Sequence, residues 1–213
     1  MAIVAIPAII TSCGDDELSP NGSNGKAPSG VKAVDLGLPS GTLWANMNVG
    51  AFSEEAPGNS YAWGETEVKT TYSWSTYKWC NGAYNKMTKY NSSDKLWELE
   101  PEDDAAYVNW GKQWCMPSSA QFEELINHCS WNWTMQNGVN GYKVVGPNGN
   151  SIFMPTTTGS YGYYWSRTFY NTSEPYIACG LSFSSGDIPR SNSYSNCRNR
   201  YYGQSVRPVR LSN

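Results

Sequence analysis

The sequence has few charged residues, a single histidine and no long apolar run. Only 15% of its 213 residues are charged and the net charge is −3, whereas a nucleic-acid-binding domain carries a basic patch or stripe. No apolar stretch reaches the ~20 residues that a membrane-spanning helix needs. Because His128 stands alone and no C-x-x-C spacing occurs, a zinc site is not predicted. We therefore expect a globular domain that binds neither nucleic acid nor a metal ion.

The sequence also lacks the motifs of catalysis. It contains one histidine, no G-x-S-x-G, no phosphate-binding glycine loop and no metal-ligand cluster. An enzyme needs an activated nucleophile or a paired acid and base. His128 falls near the end of a predicted helix, where an imidazole complements the helix dipole. We predict no catalytic residue, no cofactor and no enzymatic activity.

Aromatic residues, glycine and proline are abundant instead. The chain has 10 Trp, 15 Tyr, 5 Phe, 20 Gly and 12 Pro, too many aromatics for a disordered chain and too many turn formers for a helical bundle. The charges are unevenly distributed, since all nine lysines precede residue 144 and all six arginines follow residue 166. The last quarter of the chain therefore follows a different compositional rule from the rest.

The N-terminal residues have the features of a lipoprotein leader. Residues 2–10 form an apolar run of the length found in secretion signals. The following Ile10-Thr11-Ser12-Cys13 resembles a bacterial lipobox, in which Cys13 is lipidated after cleavage, and acidic residues 15–17 resemble the signal that exports Bacteroidetes lipoproteins to the cell surface. We expect a signal peptide at 1–13 and a flexible tether at 14–30. The alternative is a buried N-terminal strand with an incidental cysteine.

From residue 31 to the end, short strands alternate with turn signals, which indicates one domain over 31–213. The hairpin is the clearest signal, because Asn148-Gly149 lies between two apolar runs. Strands are predicted at 31–36, 42–45, 61–65, 141–145, 151–154, 163–166, 180–184 and 205–210.

Two helices are predicted. Ser118 and Gln121 can form a capping box at the start of a helix over 118–129. A second, shorter helix is predicted at 102–107, and we interpret Asp103 and Asp104 as its solvated start. Few helices and many short strands indicate an α+β fold. The predicted core-facing side of the longer helix comprises Phe122, Leu125, Ile126 and Cys129.

Several motifs in a fixed order resemble those of a known family. They are Val34–Ala45, Asn48–Ala51, Tyr61–Glu65, Asp103–Ala106, Trp114–Ser118, Gly141–Pro155, Gly162–Ser166 and Ser205–Val209. Over roughly residues 31–210 the chain resembles the Fibrobacter succinogenes major paralogous domain, which is common in Bacteroidetes surface proteins. The resemblance implies a C-type-lectin-like fold related to the formylglycine-generating-enzyme group. Cys115 departs from the family, which often has arginine there.

Residues 163–202 resemble a narrower group, the variable region of proteins diversified by a retroelement. In such systems reverse transcription randomises adenines, mainly in Asn codons, and the resulting codons never encode Lys, Glu, Gln, Met or Trp. Between Ser166 and Tyr202 there is no Lys, Gln, Met or Trp and one Glu, Glu174. The resemblance implies a surface-displayed receptor or adhesin, held at the outer membrane by its lipid anchor alone, whose C-terminal face binds a protein or glycan ligand.

The composition of this region independently favours a binding surface. Tyr, Ser, Asn, Gly and Arg supply 26 of the 41 residues from Gly162 to Tyr202, and antibody loops use a similar set. If Leu181 and Phe183 face the core, strand alternation turns their neighbours outward. The predicted scaffold comprises Trp165, Leu181, Phe183, Val206 and Val209. The residues expected to point outward and contact ligand are Arg167, Tyr170, Tyr176, Ile177, Cys179, Gly180, Ser182, Ser184, Asp187, Arg190, Ser193, Tyr194, Tyr201 and Tyr202.

Other interpretations stay open at this level. The same fold can serve as a non-variable adhesin or a cell-envelope structural module. Calcium-dependent sugar binding is disfavoured, because only Glu174-Pro175 matches the usual lectin motifs and no Trp-Asn-Asp occurs. Cys179 and Cys197 are spaced so that they can pair across a loop, but the sequence does not decide the pairing.

Overall fold

The computed structural model describes residues 25–190 and 197–211. The predicted signal peptide with Cys13, the tether as far as residue 24, and the candidate positions Ser193 and Tyr194 lie outside the described residues. The elements of the described residues are β1 (Ala33–Asp35), β2 (Thr42–Ala45), α1 (Ala105–Trp110), α2 (Ser119–His128), β3 (Ser130–Gln136), β4 (Val139–Val145), β5 (Ser151–Pro155), β6 (Tyr161–Phe169), β7 (Ile177–Ser184), β8 (Asp187–Arg190), β9 (Cys197–Asn199) and β10 (Val209–Leu211).

The strands form three small antiparallel sheets. In the first, β2 lies between β1 and β10, so that the first and last described strands share one sheet. The second is the meander β3–β4–β5, which includes the predicted hairpin and adds β3, a strand that was not predicted. In the third, β7 pairs with β6, β8 and β9. Small antiparallel sheets with two helices among the described residues confirm the predicted α+β class.

Helix α2 forms where its capping signals predict it. The Ser118 hydroxyl accepts a hydrogen bond from the Gln121 backbone N–H at 3.2 Å, and the Gln121 side chain accepts one from the Ser118 N–H at 2.9 Å. These bonds satisfy two of the donors that every helix start leaves unpaired. Phe122 and Leu125 are buried in the core, as the spacing predicts, and His128 is exposed in the last turn. Neither described helix has the length and apolar character that crossing a bilayer requires.

Strand β6 separates the two main hydrophobic clusters of the described chain. Its Tyr164 packs in one cluster with Leu181 and Phe183, while the adjacent Trp165 packs in the other. Successive strand residues point to opposite faces, so both faces of the sheet are covered at this point. Residues of β6 and β7 therefore form part of the hydrophobic core of the domain.

The prediction that Asp103 and Asp104 form a solvated start of α1 is wrong. Asp103 and Asp104 are 1% and 2% exposed, because each carboxylate satisfies groups inside the protein. Asp104 caps α1 by accepting from the backbone N–H groups of Ala106 and Tyr107, and it also accepts from Met116 N–H at 2.8 Å. Its burial raises its pKa to about 6. Asp104 therefore joins α1 to the segment before α2.

Lysines and a tyrosine surround the other carboxylate. Asp103 accepts a hydrogen bond from the Tyr90 hydroxyl at 2.7 Å and forms ion pairs with Lys78 and Lys89 at 3.2 and 2.7 Å. Desolvation by burial, followed by the bond to Asp103, raises the pKa of Tyr90. This network fixes the segment containing residues 78–90 against the rest of the domain.

Candidate functional site

The core-facing side of β6 and β7 is an apolar scaffold. Leu181 and Phe183 are buried, and the Phe183 ring stacks on that of Tyr164 with 5.9 Å between centroids. Gly162 lies opposite Phe183 in the ladder, where any side chain would collide with the Phe183 ring. The predicted scaffold residues are all buried, which confirms that part of the prediction: Trp165, Leu181, Phe183, Val206 and Val209.

The opposite side of the same strands is polar and aromatic. Tyr161 lies opposite Ser184 and Tyr163 opposite Ser182, and these side chains are exposed or half-buried. The two tyrosine rings stack at 5.8 Å, and the Arg198 guanidinium lies 5.3 Å from the Tyr163 centroid. Strand alternation thus turns Ser182 and Ser184 away from the core, as predicted.

A small apolar cluster lies between β7 and β9. Cys179 and Cys197 are direct cross-strand partners and form a disulfide, which closes the loop that carries β8. Ile177 packs beside the disulfide, and the half-buried rings of Tyr170 and Tyr176 cover it. The structure therefore decides the cysteine pairing that the sequence left open.

Two further tyrosines follow β9. Tyr201 packs edge-on against Trp74 at 4.7 Å and lies 4.5 Å from Tyr202, between ring centroids. Tyr202 is 43% exposed, and a hydrogen bond with Tyr201 raises its pKa. Tyr176 has an aromatic partner from an earlier part of the chain too, because Tyr84 meets its ring edge-on at 5.4 Å. The part of the chain between β2 and α1 therefore contacts the candidate site at two places, through Trp74 and Tyr84.

Four candidate residues do not point into solvent, and their predicted outward orientation is corrected. Arg167 lies at an irregularity of β6, where its side chain pairs with Glu98 at 2.9 Å and bonds the Met116 carbonyl. Ile177 and Cys179 are covered by the tyrosines and the disulfide described above. Gly180 lies opposite Trp165, where both sheet faces are covered, and a side chain there would collide with backbone.

The remaining described candidates keep an outward or half-buried position. Asp187 is exposed at the start of β8, and Arg190 lies at the end of that strand, where only its backbone is described. We call the following set the C-terminal face: Tyr170, Tyr176, Ser182, Ser184, Asp187, Tyr201 and Tyr202.

Two arginines in the last quarter of the chain are buried and stabilise the fold, a role that was not predicted from the sequence. Arg200 and Arg207 are both 0% exposed. Burial lowers the pKa of each guanidinium, to about 10 for Arg207. No local pattern distinguishes them from the half-buried Arg198 and Arg210, because their partners, chiefly backbone carbonyls, come from distant parts of the chain.

Comparison with protein-family models, curated proteins and solved structures gives no match to this chain. In the part of the chain that the structure describes, no group of three or more His, Cys, Asp or Glu side chains is placed to hold a metal ion. The candidate site is therefore identified from its own geometry, in which exposed or half-buried tyrosines and serines are supported by a buried apolar scaffold.

Proposed function

We propose that this chain is a surface-displayed, receptor- or adhesin-like protein with a C-type-lectin-like fold, whose C-terminal face is diversified by a retroelement. One observation carries the proposal: within residues 163–202, Trp165, Leu181 and Phe183 are buried, while the tyrosines and serines of the C-terminal face are exposed or half-buried. Replacement of outward side chains costs a fold little when they contribute little to its core. Such a segment tolerates variation without loss of structure.

The chemistry of the C-terminal face supports noncovalent recognition rather than catalysis. Tyrosine offers a large amphipathic contact area at low entropic cost, and serine adapts its hydrogen bonds to the ligand. The proposal needs no cofactor. The ligand is a protein or a glycan, and nucleic acid is not among the expected partners.

The disulfide supports a location outside the cytoplasm, since such bonds persist in oxidising compartments. We propose that Cys13 carries a lipid that holds the protein at the outer membrane, with the domain displayed on the cell surface. Contact with the membrane would then run through the anchor alone. The second candidate function is that of a non-variable adhesin or envelope module with the same fold. The buried core supports both candidates equally, and they differ in whether residues 163–202 are diversified.

Replacing Tyr170, Tyr176 and Tyr202 together with serine is expected to abolish ligand binding while the domain stays folded. The three rings are exposed or half-buried, so the triple variant should lose less stability than the single Phe183→Ala variant, whose ring is 2% exposed. The measurement is binding to arrays of glycans and purified envelope proteins, with thermal unfolding alongside. A triple variant that binds like the unchanged protein, or that is less stable than Phe183→Ala, contradicts the proposal.

Replacing Cys13 with serine is expected to remove the lipid anchor. Expressed in a bacterium that processes lipoproteins and fed an alkyne-labelled fatty acid, the unchanged chain should carry the label and sediment with membranes. The C13S chain should do neither, and a Cys129→Ser chain serves as the control because it replaces a different cysteine, whose thiol is free. Equal labelling of the unchanged and C13S chains would overturn the assignment.

A further inference from the structure

Residues 74–90, which lie outside the segment proposed to vary, contact the C-terminal face at two places. Trp74 packs against Tyr201, and Tyr84 packs against Tyr176. Tyr84 is 55% exposed and Trp74 is half-buried, so both retain surface that a ligand can reach. A part of the chain that is expected to stay constant in sequence therefore lies directly beside the tyrosines of the proposed binding surface.

Arg200 joins the two parts of the chain at a third place. Its guanidinium donates to the backbone carbonyls of Lys89 and Tyr90 at 3.1 and 2.5 Å, and its backbone N–H donates to the Tyr176 carbonyl at 3.0 Å. The guanidinium also lies 4.6 Å from the centre of the Trp63 ring, within the core. Because a planar guanidinium donates in several fixed directions, Arg200 fixes the position of residues 74–90 relative to Tyr176.

We infer that residues 74–90 form a constant side of the ligand-binding surface, in which Trp74 and Tyr84 contact a protein ligand together with Tyr176, Tyr201 and Tyr202. The inference rests on the proposed function and adds two contact residues that do not vary.

The residues of this surface favour a protein over a glycan. Trp, Tyr, Met and Arg are the residues enriched in protein–protein interfaces and in their hot spots, and Trp74, Tyr84, Tyr176, Tyr201 and Tyr202 belong to that set. The rings meet edge to face at 73° and 81° in the two contacts between the segments, so part of each pair's ring surface is already covered. A small ligand instead prefers a concave cleft. The cleft of about 330 Å³ beside Trp110 and Trp114 lies outside this surface.

The inference can be tested with a repertoire built on the full chain and displayed on phage. Six positions are randomised, Tyr170, Tyr176, Ser182, Ser184, Tyr201 and Tyr202, and clones are selected in parallel against lysozyme and against dextran. Trp74→Ala and Tyr84→Ala are then introduced separately into at least ten lysozyme-binding clones. Phe52→Ala and Met135→Ala serve as controls, because these side chains are 94% and 62% exposed and belong to neither segment.

We expect lysozyme-binding clones whose dissociation constants rise at least tenfold with Tyr84→Ala or Trp74→Ala in most cases, and less than twofold with either control. Tyr84 is largely exposed, so its variant reports on binding even if Trp74→Ala disturbs folding. If clones bind lysozyme and their dissociation constants stay unchanged with both substitutions, residues 74–90 are not part of the binding surface. The proposed function would still stand. Selection of dextran binders alone overturns the protein class of ligand. Failure to select any binder contradicts the proposed function and the inference together.

Discussion

Replacing Arg207 with methionine is expected to lower the free energy of unfolding by about 3–5 kcal/mol, because it leaves three buried acceptors without their donor. The Arg207 Nε donates to Asn48 Oδ1 at 2.6 Å, and its two terminal nitrogens donate to the carbonyls of Ala45 and Phe153 at 3.0 and 2.9 Å. These partners come from the strand β2, the segment after it and the strand β5. Arg207 therefore fastens three parts of the chain at once.

Lysine is not expected to rescue this position. An ammonium group on a flexible stem cannot meet three acceptors in the directions that a planar guanidinium reaches. Arg198→Met is the matched control, since Arg198 is half-buried and contacts the surface ring of Tyr163. The measurement is denaturant unfolding followed by tryptophan fluorescence. If Arg207→Met unfolds at the same denaturant concentration as Arg198→Met, the role assigned to Arg207 is wrong.

Removing the disulfide with Cys179→Ala and Cys197→Ala together is expected to lower the free energy of unfolding by about 3 kcal/mol. The reason is that the bond closes a loop and so reduces the conformational entropy of the unfolded chain. The two cysteines are 18 positions apart. The double variant should also loosen the β7–β9 pairing, which includes three residue pairs and ends at the disulfide. Chemical unfolding of the purified protein measures the loss.

Cys129→Ala provides the comparison for this experiment, since Cys129 is half-buried and its thiol is free. Amide hydrogen exchange adds a local test: protection should fall in Ile177–Ser184 of the double variant and stay unchanged in β3–β4–β5. A double variant as stable as Cys129→Ala would show that the disulfide contributes nothing to the fold of this region.

The elements that the sequence predicts well are those with local signals. Helix α2 begins where Ser118 and Gln121 cap it, and the hairpin of β4 and β5 turns at Asn148-Gly149. Strand β3 was missed because its alternation of tryptophans with polar residues comes directly after the helix, with Cys129 as the one residue between them. Its pairing with β4 depends on residues that come later in the chain.

Buried polar residues were harder to predict, since their partners are distant in sequence. Asp103 is buried because Lys78, Lys89 and Tyr90 meet it, 13 to 25 positions away. Arg207 reaches a carbonyl 162 positions away. A charged side chain with no local partner in the sequence is ordinarily read as solvated. Only the folded chain reveals that these charges hold its parts together.

The candidate site likewise has features with a local sequence signal and features that depend on residues distant in the chain. Alternation around Leu181 and Phe183 correctly turned Ser182 and Ser184 outward, because a regular strand has a period of two. The same rule failed at Gly180, beside which the β6–β7 register shifts and both sheet faces are covered. The contributions of Trp74 and Tyr84 could not be predicted, since their partners Tyr201 and Tyr176 lie 127 and 92 positions further along the chain.

The most direct test of the account is to sequence this locus, with its flanking DNA, across the source population. Diversification predicts substitutions confined to Asn-type codons within 163–202, beside a near-identical template repeat and a reverse transcriptase gene. The structure adds where they should fall: variation at Tyr170, Tyr176, Ser182 and Tyr202, and constancy at buried positions, namely Trp165, Leu181, Phe183 and Arg200. A uniform sequence with no template repeat, or variation spread equally over buried and exposed positions, would contradict the central claim.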